Sequence, residues 1–322
     1  MRKSNKNYGL VVLIFSLTGI FLLWLITFII DFGVKHSDDT QVGVVNRIMD
    51  HQIDPQIIAF GASAGEVSID PEIIQKRTGL TCFNSCINGT RFLQYQGLIN
   101  EFNAYSENNK VMILSESYFS FEKISAVTSI ETYLPHLNND NVYHSLFMIQ
   151  PDLTWKCKYI PFYKYIAATH IYYKNAAIGW NNFLHHRSYS GLGYFPVDRN
   201  WEPDADATIE SMGRFVITFD PVIIDQYIKV IRNAESRNRK VVILLTPEFS
   251  EMLEKVTDIN PLRAKLDSIA TVTKAVFLDF TTQPICKDKT MFYNSIHLNE
   301  TGSKIFSAIL ADSLKKIVYG TR

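Results

Sequence analysis

The stretch Ile57-Ile58-Ala59-Phe60-Gly61-Ala62-Ser63-Ala64-Gly65 joins a short apolar run to a turn of small residues that carries a serine. The apolar run does not alternate with polar residues, which is typical of a strand covered on both faces of a parallel sheet. Small neighbours let the backbone approach a substrate and direct its N–H groups at a developing oxyanion. The stretch therefore predicts a buried strand followed by Ser63 as a candidate nucleophile.

Three further apolar runs resemble the first, and helical patterns separate them. The predicted strands are residues 57–60, 111–114, 241–246 and 275–280. The predicted helices are one within 32–55, then 71–77, 92–105, 221–236 and 261–270, and a last helix from Asn299 or Glu300 to about Val318. Strands that alternate with helices predict a three-layer α/β/α sandwich with a mainly parallel sheet.

Composition limits both the size of the core and the class of partner. The chain has 322 residues, of which 47% are hydrophobic, so a single large domain can bury a sizeable core. Its 32 basic and 32 acidic residues give no net charge, so the positive field that nucleic-acid binding requires is missing. No metal or organic cofactor is indicated. The four cysteines match no metal spacing, and Cys82 and Cys86 are either a disulfide or two small buried residues.

The amino terminus carries a long apolar segment. Residues 9–30 contain no charged side chain and are enough to cross about 30 Å of hydrocarbon as a helix. Arg2, Lys3 and Lys6 precede the segment, so the positive-inside rule places the amino terminus in the cytoplasm. No small-x-small cleavage site follows it, which favours an uncleaved anchor over a signal peptide. We predict a tail and anchor at 1–31 and an extracytoplasmic, periplasmic domain at 32–322.

An aromatic-rich stretch at about 123–213 interrupts the strand–helix alternation. Insertions in a sheet of this kind usually extend from its carboxyl edge, where ligands bind. The stretch is therefore a candidate lid or glycan platform. The alternative is a helical cap whose aromatic side chains form a core of their own.

The candidate base lies near the other end of the chain, in Phe292-Tyr293-Asn294-Ser295-Ile296-His297-Leu298-Asn299-Glu300-Thr301-Gly302. Among eight histidines, His297 alone stands at a loop-to-helix junction after the last predicted strand. That position shares a sheet edge with Ser63 in a doubly wound topology. A serine hydroxyl is a weak nucleophile until a base within hydrogen-bond reach accepts its proton, so the pair suggests acyl-transfer chemistry.

The two segments together resemble the SGNH/GDSL hydrolase superfamily, in which a G-x-S block follows the first strand and a D-x-x-H block precedes the last helix. The order of motifs is more specifically similar to a cell-envelope branch that includes the D-alanyl-lipoteichoic-acid transfer protein and the alginate O-acetyltransferases. Supporting motifs are Ile69-Asp70-Pro71, the Asn-x-x-x-Asn-Gly stretch at 84–89, Gly191-Leu192-Gly193-Tyr194-Phe195-Pro196 and Thr246-Pro247. The resemblance covers about residues 54–315.

This resemblance implies Ser63 as nucleophile and His297 as general base, with Gly89 and Asn88 assisting the oxyanion. Two features depart from the pattern. The stretch Leu114-Ser115-Glu116-Ser117 replaces the usual G-x-N-D asparagine, and Asn294 stands where an aspartate normally orients the histidine. An equivalent Asp-to-Asn change in serine proteases lowers turnover by about four orders of magnitude. Either a dyad works alone, another acid such as Glu116 or Asp279 substitutes, or activity is lost.

The sequence thus predicts a membrane-anchored serine acyltransferase or esterase that acts on acetyl or D-alanyl groups of a cell-envelope polysaccharide. The resemblance implies an acylated glycan as partner, and a membrane-bound O-acyltransferase as a second. One alternative is a catalytically weakened subunit that binds or assembles envelope glycan. Another is a structural anchored domain in which Ser63 is a turn residue and His297 a polar helix-start residue.

Overall fold

A five-stranded parallel sheet forms the centre of the molecule. The computed structural model describes residues 2–166, 170–187, 191–202, 213–256 and 258–320. The strands are β1 (Ile57–Gly61), β2 (Cys82–Asn84), β3 (Val111–Glu116), β4 (Lys240–Leu245) and β5 (Val276–Asp279). They follow the order β2-β1-β3-β4-β5, and every pairing is parallel. All carboxyl ends therefore lie at one edge of the sheet. The chain adds β2 on one side of β1 and then β3, β4 and β5 on the other side, so the order of the strands reverses between β1 and β3.

Helices precede, connect and follow these strands. They are α1 (Arg2–Lys35), α2 (Thr40–Met49), α3 (Ser63–Ser68), α4 (Pro71–Thr78), α5 (Phe92–Tyr105), α6 (Asp140–Ile149), α7 (Pro151–Tyr159), α8 (Tyr163–Ile166), α9 (His170–Leu184), α10 (Pro221–Ser236), α11 (Ser250–Val256), α12 (Asn260–Val272) and α13 (Glu300–Tyr319). Short 3₁₀ helices lie at Ile130–Thr132, Leu134–His136, Pro284–Lys287 and Lys289–Met291.

Both faces of the sheet are covered by apolar side chains, as the unbroken apolar runs predict. Alternate residues of β1 divide between two cores: Ile58 and Phe60 join one, and Ile57 and Ala59 join the other. Side chains of α2, α5 and α10 complete the first core, whereas α4 and α13 complete the second. Successive side chains of a strand point to opposite faces, so the two cores make three layers. The predicted α/β/α class is confirmed.

Most predicted elements fall where the pattern puts them, and β2 is the strand that the pattern misses. Its three residues pair with β1 alone, with Ile57 opposite Cys82. A run this short is recognised by its pairing and not by its composition. Cys82 and Cys86 are separate buried thiols, as are Cys157 and Cys286, so the disulfide alternative is wrong.

Helix α1 is long and apolar enough to cross a membrane. Its large apolar side chains from Tyr8 to Ile29 are exposed. The last turns of α1 contact the stretch between β3 and β4. That stretch forms helices in its described parts, and α9 packs on α1 at Gly33 and Gly179. We call the contact between residues 27–37, which are the end of α1 and the two residues after it, and residues 160–166 and 170–184 the anchor seam. The crossing direction and the bounds of the predicted domains remain predictions.

The aromatic stretch contains both buried and exposed aromatic side chains. Tyr165 and Tyr172 are buried, and both hydroxyls donate to the carboxylate of Asp31 on α1. These two rings belong to the same apolar core as one face of the sheet, so the prediction of a separate aromatic core is wrong. Trp155 and Tyr159 on α7 are exposed, and the role of the stretch as a lid or glycan platform stays a prediction. Residues 167–169, 188–190 and 203–212 of the predicted insertion lie outside the described residues.

Candidate active site

Ser63 is the first residue of α3, two residues beyond the end of β1. Two glycines allow this tight entry into the helix. A Cβ on Gly61 would lie 2.4 Å from the carbonyl oxygen of Ser115, and one on Gly65 would lie 2.6 Å from Cys86 Sγ. Since real Cβ atoms do not approach so closely, glycine is required for α3 to pack on the ends of β1 and β3.

Asn84, at the end of β2, fixes the other end of this short helix. Its buried amide nitrogen donates to the carbonyl oxygens of Gly65 at 3.0 Å and Ile69 at 2.9 Å. Its amide oxygen accepts the backbone N–H of Cys86 at 3.0 Å. The asparagine thereby joins the serine helix to the loop that leads to Gly89. The Asn-x-x-x-Asn-Gly spacing pointed to this loop but not to the role of Asn84.

His297 lies in a loop held closed at its base. Phe292 and Leu298 form an antiparallel bridge, and the backbone N–H of Tyr293 donates to the His297 carbonyl at 3.2 Å. Asn299 then caps α13 by accepting the N–H of Gly302 at 3.0 Å. The loop places His297 Nε2 2.8 Å from Ser63 Oγ, within the hydrogen-bond reach that the proposed chemistry requires.

Asn294 holds the other ring nitrogen. Its Oδ1 lies 3.0 Å from His297 Nδ1 and accepts the backbone N–H groups of Ile296 at 3.0 Å and His297 at 2.9 Å. Two backbone donors to one atom identify that atom as the amide oxygen, because an amide nitrogen cannot accept them. Nδ1 must therefore carry the proton and donate it, which leaves the Nε2 lone pair for the Ser63 hydroxyl. Asn294 selects the tautomer that a base requires, although it adds no charge.

Burial keeps the ring neutral. Desolvation lowers the pKa of His297 from 6.5 to about 4, because the charged imidazolium is poorly solvated in this loop. The ring of Tyr293 stacks on it with the centroids 5.5 Å apart and the planes 9° from parallel. At neutral pH the histidine is thus ready to accept a proton, but the imidazolium that it becomes is not stabilised by a neighbouring carboxylate.

The two acids considered as substitutes for the missing aspartate have other partners. Glu116, buried at the end of β3, accepts the hydroxyl of Tyr95 at 3.0 Å, and burial raises its pKa to about 7. Asp279, at the end of β5, pairs with Arg263 at 2.7 Å. Neither carboxyl group is a hydrogen-bond partner of His297 among the described contacts. The geometry is therefore that of a Ser–His dyad oriented by an amide.

A cavity of about 200 Å³ opens beside the dyad. It is lined by Ala62, Ser63, Ala64, Gly89, Thr90, Arg91, Ser117, Tyr118, Phe119, Ile296 and His297. Gly89 belongs to this lining and has a φ of 73°, a conformation that favours glycine. Asn88 does not belong to this lining. The oxyanion roles of Gly89 and Asn88 stay predictions.

Sequence reasoning did not select Arg91, Ser117 or Tyr118, which also line the cavity. Ser117 follows β3, and the usual signal at this position, a G-x-N-D motif, is missing. Arg91 pairs with Glu122 at 3.2 Å and lies over the ring of Phe119. The wall opposite the dyad is therefore partly cationic and partly aromatic.

A larger cavity, of about 630 Å³, lies at the β4–β5 side of the same edge and is lined by residues such as Arg214, Arg263 and Lys287. It includes neither Ser63 nor His297, and we place the candidate site at the smaller cavity because the dyad lines it. Among the described residues, no group of three or more histidine, cysteine, aspartate or glutamate side chains could hold a metal ion.

Comparisons with known proteins give the chain no family. No protein-family model matches the chain, and no curated protein matches it. One similar structure is a Streptococcus pneumoniae protein provisionally named a platelet activating factor, at 10% identity and a TM-score of 0.43, covering 87% of this chain and 93% of that one. Another is a Bacteroides fragilis protein provisionally named an acylhydrolase, at 10% identity and a TM-score of 0.38, covering 84% and 93%. Likeness at this level carries no argument about function, which therefore rests on the geometry of the site.

Proposed function

We propose that this protein is a membrane-anchored serine acyltransferase or esterase that works through a covalent Ser63 ester. The observation that carries the proposal is the 2.8 Å contact between Ser63 Oγ and His297 Nε2, with Asn294 Oδ1 on the opposite ring nitrogen. A turn serine and a helix-start histidine that served only structural roles would not need the Nε2 lone pair to face the serine hydroxyl at the edge of a cavity. The geometry favours chemistry over the structural alternative.

In the first half-reaction Ser63 Oγ attacks the acyl carbonyl carbon while His297 Nε2 takes the hydroxyl proton. The carbonyl oxygen gains negative charge, and on this proposal the backbone N–H groups of Ser63 and Gly89, two residues that line the cavity, stabilise it. Collapse of the tetrahedral intermediate breaks the bond to the leaving group. The imidazolium returns its proton to that group, and the acyl chain stays on Ser63 as an ester.

In the second half-reaction an acceptor hydroxyl or water enters the position that the leaving group has vacated. His297 takes its proton, the new nucleophile attacks the Ser63 ester, and the proton returns to Ser63 Oγ. A sugar hydroxyl as acceptor gives acyl transfer, whereas water gives hydrolysis. The same dyad serves both outcomes, so the competition between sugar and water in the cavity decides which reaction dominates.

The small cavity supports a short acyl group such as acetyl or D-alanyl, since about 200 Å³ leaves little room for a long chain. The motif order that resembles the cell-envelope branch supports an envelope polysaccharide as the other substrate. The charges before residue 9 support a cytoplasmic amino terminus and an extracytoplasmic catalytic domain. On this proposal a membrane-bound O-acyltransferase supplies the acyl group.

A fluorophosphonate probe tests the proposal directly, because it labels serines that a neighbouring base activates. We expect the purified full chain to be labelled at Ser63, and Ser63→Ala to abolish labelling. Ser117→Ala is the matched control, because Ser117 lines the same cavity but is not bonded to His297. Release of acetate or alanine from acetylated or D-alanylated envelope glycan then identifies the acyl group.

The competing proposal is a glycan-binding or assembly subunit that retains the fold. The observation that favours it is Asn294, which leaves the imidazolium without a counter-charge. A chain that binds envelope glycan but is never labelled at Ser63 would be such a subunit, and the enzyme proposal would be rejected.

A further inference from the structure

The helices that follow β3 meet α1 within its apolar segment, not above it. The backbone N–H of Phe162 donates to Thr27 Oγ1 at 3.1 Å, and the Tyr165 hydroxyl, which donates to Asp31, also lies 3.0 Å from the Thr27 carbonyl oxygen. A small cavity is lined jointly by Trp24 on α1 and by Ile160 beyond α7. Direct contacts of the domain with α1 therefore extend to Thr27, and the cavity between them extends to Trp24.

The length of a membrane span places these contacts at the surface of the bilayer. About 20 helical residues are needed to cross roughly 30 Å of hydrocarbon. Counted from Lys6, the last charge before the apolar segment, such a span reaches about Ile26. Thr27 lies four residues before Asp31, or about 6 Å along the helix axis. Partners of Thr27 in the domain must then lie at the edge of the hydrocarbon.

The surface around these partners has the composition of a membrane interface. Ile166, next to Tyr165, is 76% exposed, and Trp155 and Tyr159 on α7 are about half exposed. Tryptophan and tyrosine are enriched at the headgroup level, and exposed apolar side chains gathered at one place on a soluble surface mark an interaction site.

We infer that residues 155–166, the lipid-facing segment, lie in the headgroup–acyl boundary of the leaflet beside α1, with a lipid surface as their binding partner. The inference rests on one part of the proposed function, namely that α1 is a membrane anchor. It assigns the exposed aromatics of α7 to lipid and not to glycan. Because the anchor seam is packed and hydrogen-bonded, the same contact fixes the height of the Ser63 cavity above the membrane.

Spin labels on single cysteines test this in the full chain reconstituted into nanodiscs of phosphatidylcholine and phosphatidylglycerol. Ile166→Cys reports the lipid-facing segment, and Phe15→Cys, near the middle of the counted span and exposed on α1, reports the anchor. Val222→Cys is the matched control, because Val222 is also a large exposed apolar residue but lies on α10, which packs on α5 and β4. The four native cysteines are buried, so the unsubstituted chain provides the labelling blank.

The readout is the collision rate with oxygen, which partitions into lipid, divided by that with a water-soluble nickel chelate. We expect a ratio several-fold higher at Ile166→Cys than at Val222→Cys, and highest at Phe15→Cys. Equal ratios at Ile166 and Val222, with a high ratio at Phe15, would overturn the inference and leave the anchor intact. A low ratio at Phe15 would overturn both.

Shielding of the Ile166 label only when a membrane-bound O-acyltransferase is added would also overturn the inference, in favour of a protein partner. Fluorophosphonate labelling of Ser63 in the same nanodiscs tests the catalytic proposal separately. Failure of that labelling leaves the lipid contact unaffected, so the two proposals fail independently.

Discussion

The catalytic edge of the sheet and the region beside the anchor seam each contain a buried histidine with a depressed pKa. Burial lowers the pKa of His297 to about 4 and that of His136 to about 3. His136 Nε2 lies 2.8 Å from Asn46 Oδ1, while Asn46 Nδ2 donates to two carbonyl oxygens, of Val34 and Ser37. Since the amide oxygen faces the ring, Nε2 of His136 is protonated and serves as a donor.

His297 has the opposite tautomer, with the proton on Nδ1 and a free lone pair on Nε2. Each histidine is bonded to an asparagine oxygen, but at His297 the remaining nitrogen faces a serine hydroxyl and a cavity. At His136 the bonded nitrogen joins a buried 3₁₀ turn to Asn46 on α2, which in turn donates to the Val34 carbonyl at the end of α1. Burial and a depressed pKa therefore do not identify a base; the nitrogen that faces the hydroxyl does.

The largest expected effect separates the two histidines by function. His297→Ala removes the base, and we expect the rate of fluorophosphonate labelling at Ser63 to fall by about four orders of magnitude or more. His136→Ala leaves Asn46 without its ring donor and should cost about 1–3 kcal/mol of unfolding free energy while labelling continues. Labelling rates and thermal unfolding of both variants check this. Equal labelling rates in the two variants would show that His297 has no greater role in the reaction than His136.

The next effect concerns the packing of the anchor seam. A Cβ on Gly179 would lie 1.7 Å from the carbonyl oxygen of Gly33, so Gly179→Val forces α9 away from α1. We expect a loss of about 1–3 kcal/mol in unfolding free energy, the usual range for overpacking, with Ser63 labelling retained. Gly19→Val is the control, because a Cβ there meets nothing within 4 Å. Similar thermal unfolding of the two variants would show that the seam is not packed as described.

A smaller effect follows from the pKa of His136. The unfolded ring binds a proton near pH 6.5, but the folded ring does not until about pH 3, so acidification favours the unfolded state. Below pH 6.5 stability should fall by up to about 1.4 kcal/mol per pH unit from this group. His136→Gln removes that slope, and the contribution of His297 is common to both proteins. Thermal unfolding between pH 7 and pH 5 measures the difference, and parallel curves would contradict it.

The sequence predicted the catalytic edge far better than the anchor seam, for physical reasons. Strands β1, β3, β4 and β5 are apolar runs whose burial on both faces leaves a direct signal in composition. Ser63 and His297 follow the ends of such strands, so topology alone brings them to one edge. The 2.8 Å contact needs only that placement and the short loops that carry it.

The parts that the sequence left open depend on contacts between distant segments. The sequence around Asn294 does not show that two backbone N–H groups bind its side-chain oxygen and hold it toward His297. The burial of Tyr165 likewise depends on Asp31, 134 residues earlier in the chain. Gly89 lines the cavity and its neighbour Asn88 does not, a difference that the motif does not encode. Such pairings are properties of the fold and not of any window of sequence.

The smallest expected effect tests the residue that most distinguishes this site. In serine proteases, exchange of the orienting aspartate for asparagine places the histidine in the wrong tautomer. Here the Asn294 oxygen already selects the correct one, so Asn294→Asp changes mainly the charge beside the imidazolium. We expect the rate of Ser63 labelling to rise by roughly tenfold, the equivalent of about one pKa unit of stabilisation.

The pH dependence of the same reaction separates charge from orientation. In the parent protein the labelling rate should remain high down to about pH 4, because His297 stays unprotonated to that point. A carboxylate at position 294 raises the pKa of the ring, so the acid limb of Asn294→Asp should move upward. Asn294→Ala, which removes the oxygen, should slow labelling, because nothing then holds the proton on Nδ1. If Asn294→Asp leaves both rate and acid limb unchanged, the imidazolium does not form in the step that limits labelling, and His297 would orient Ser63 without acting as its base.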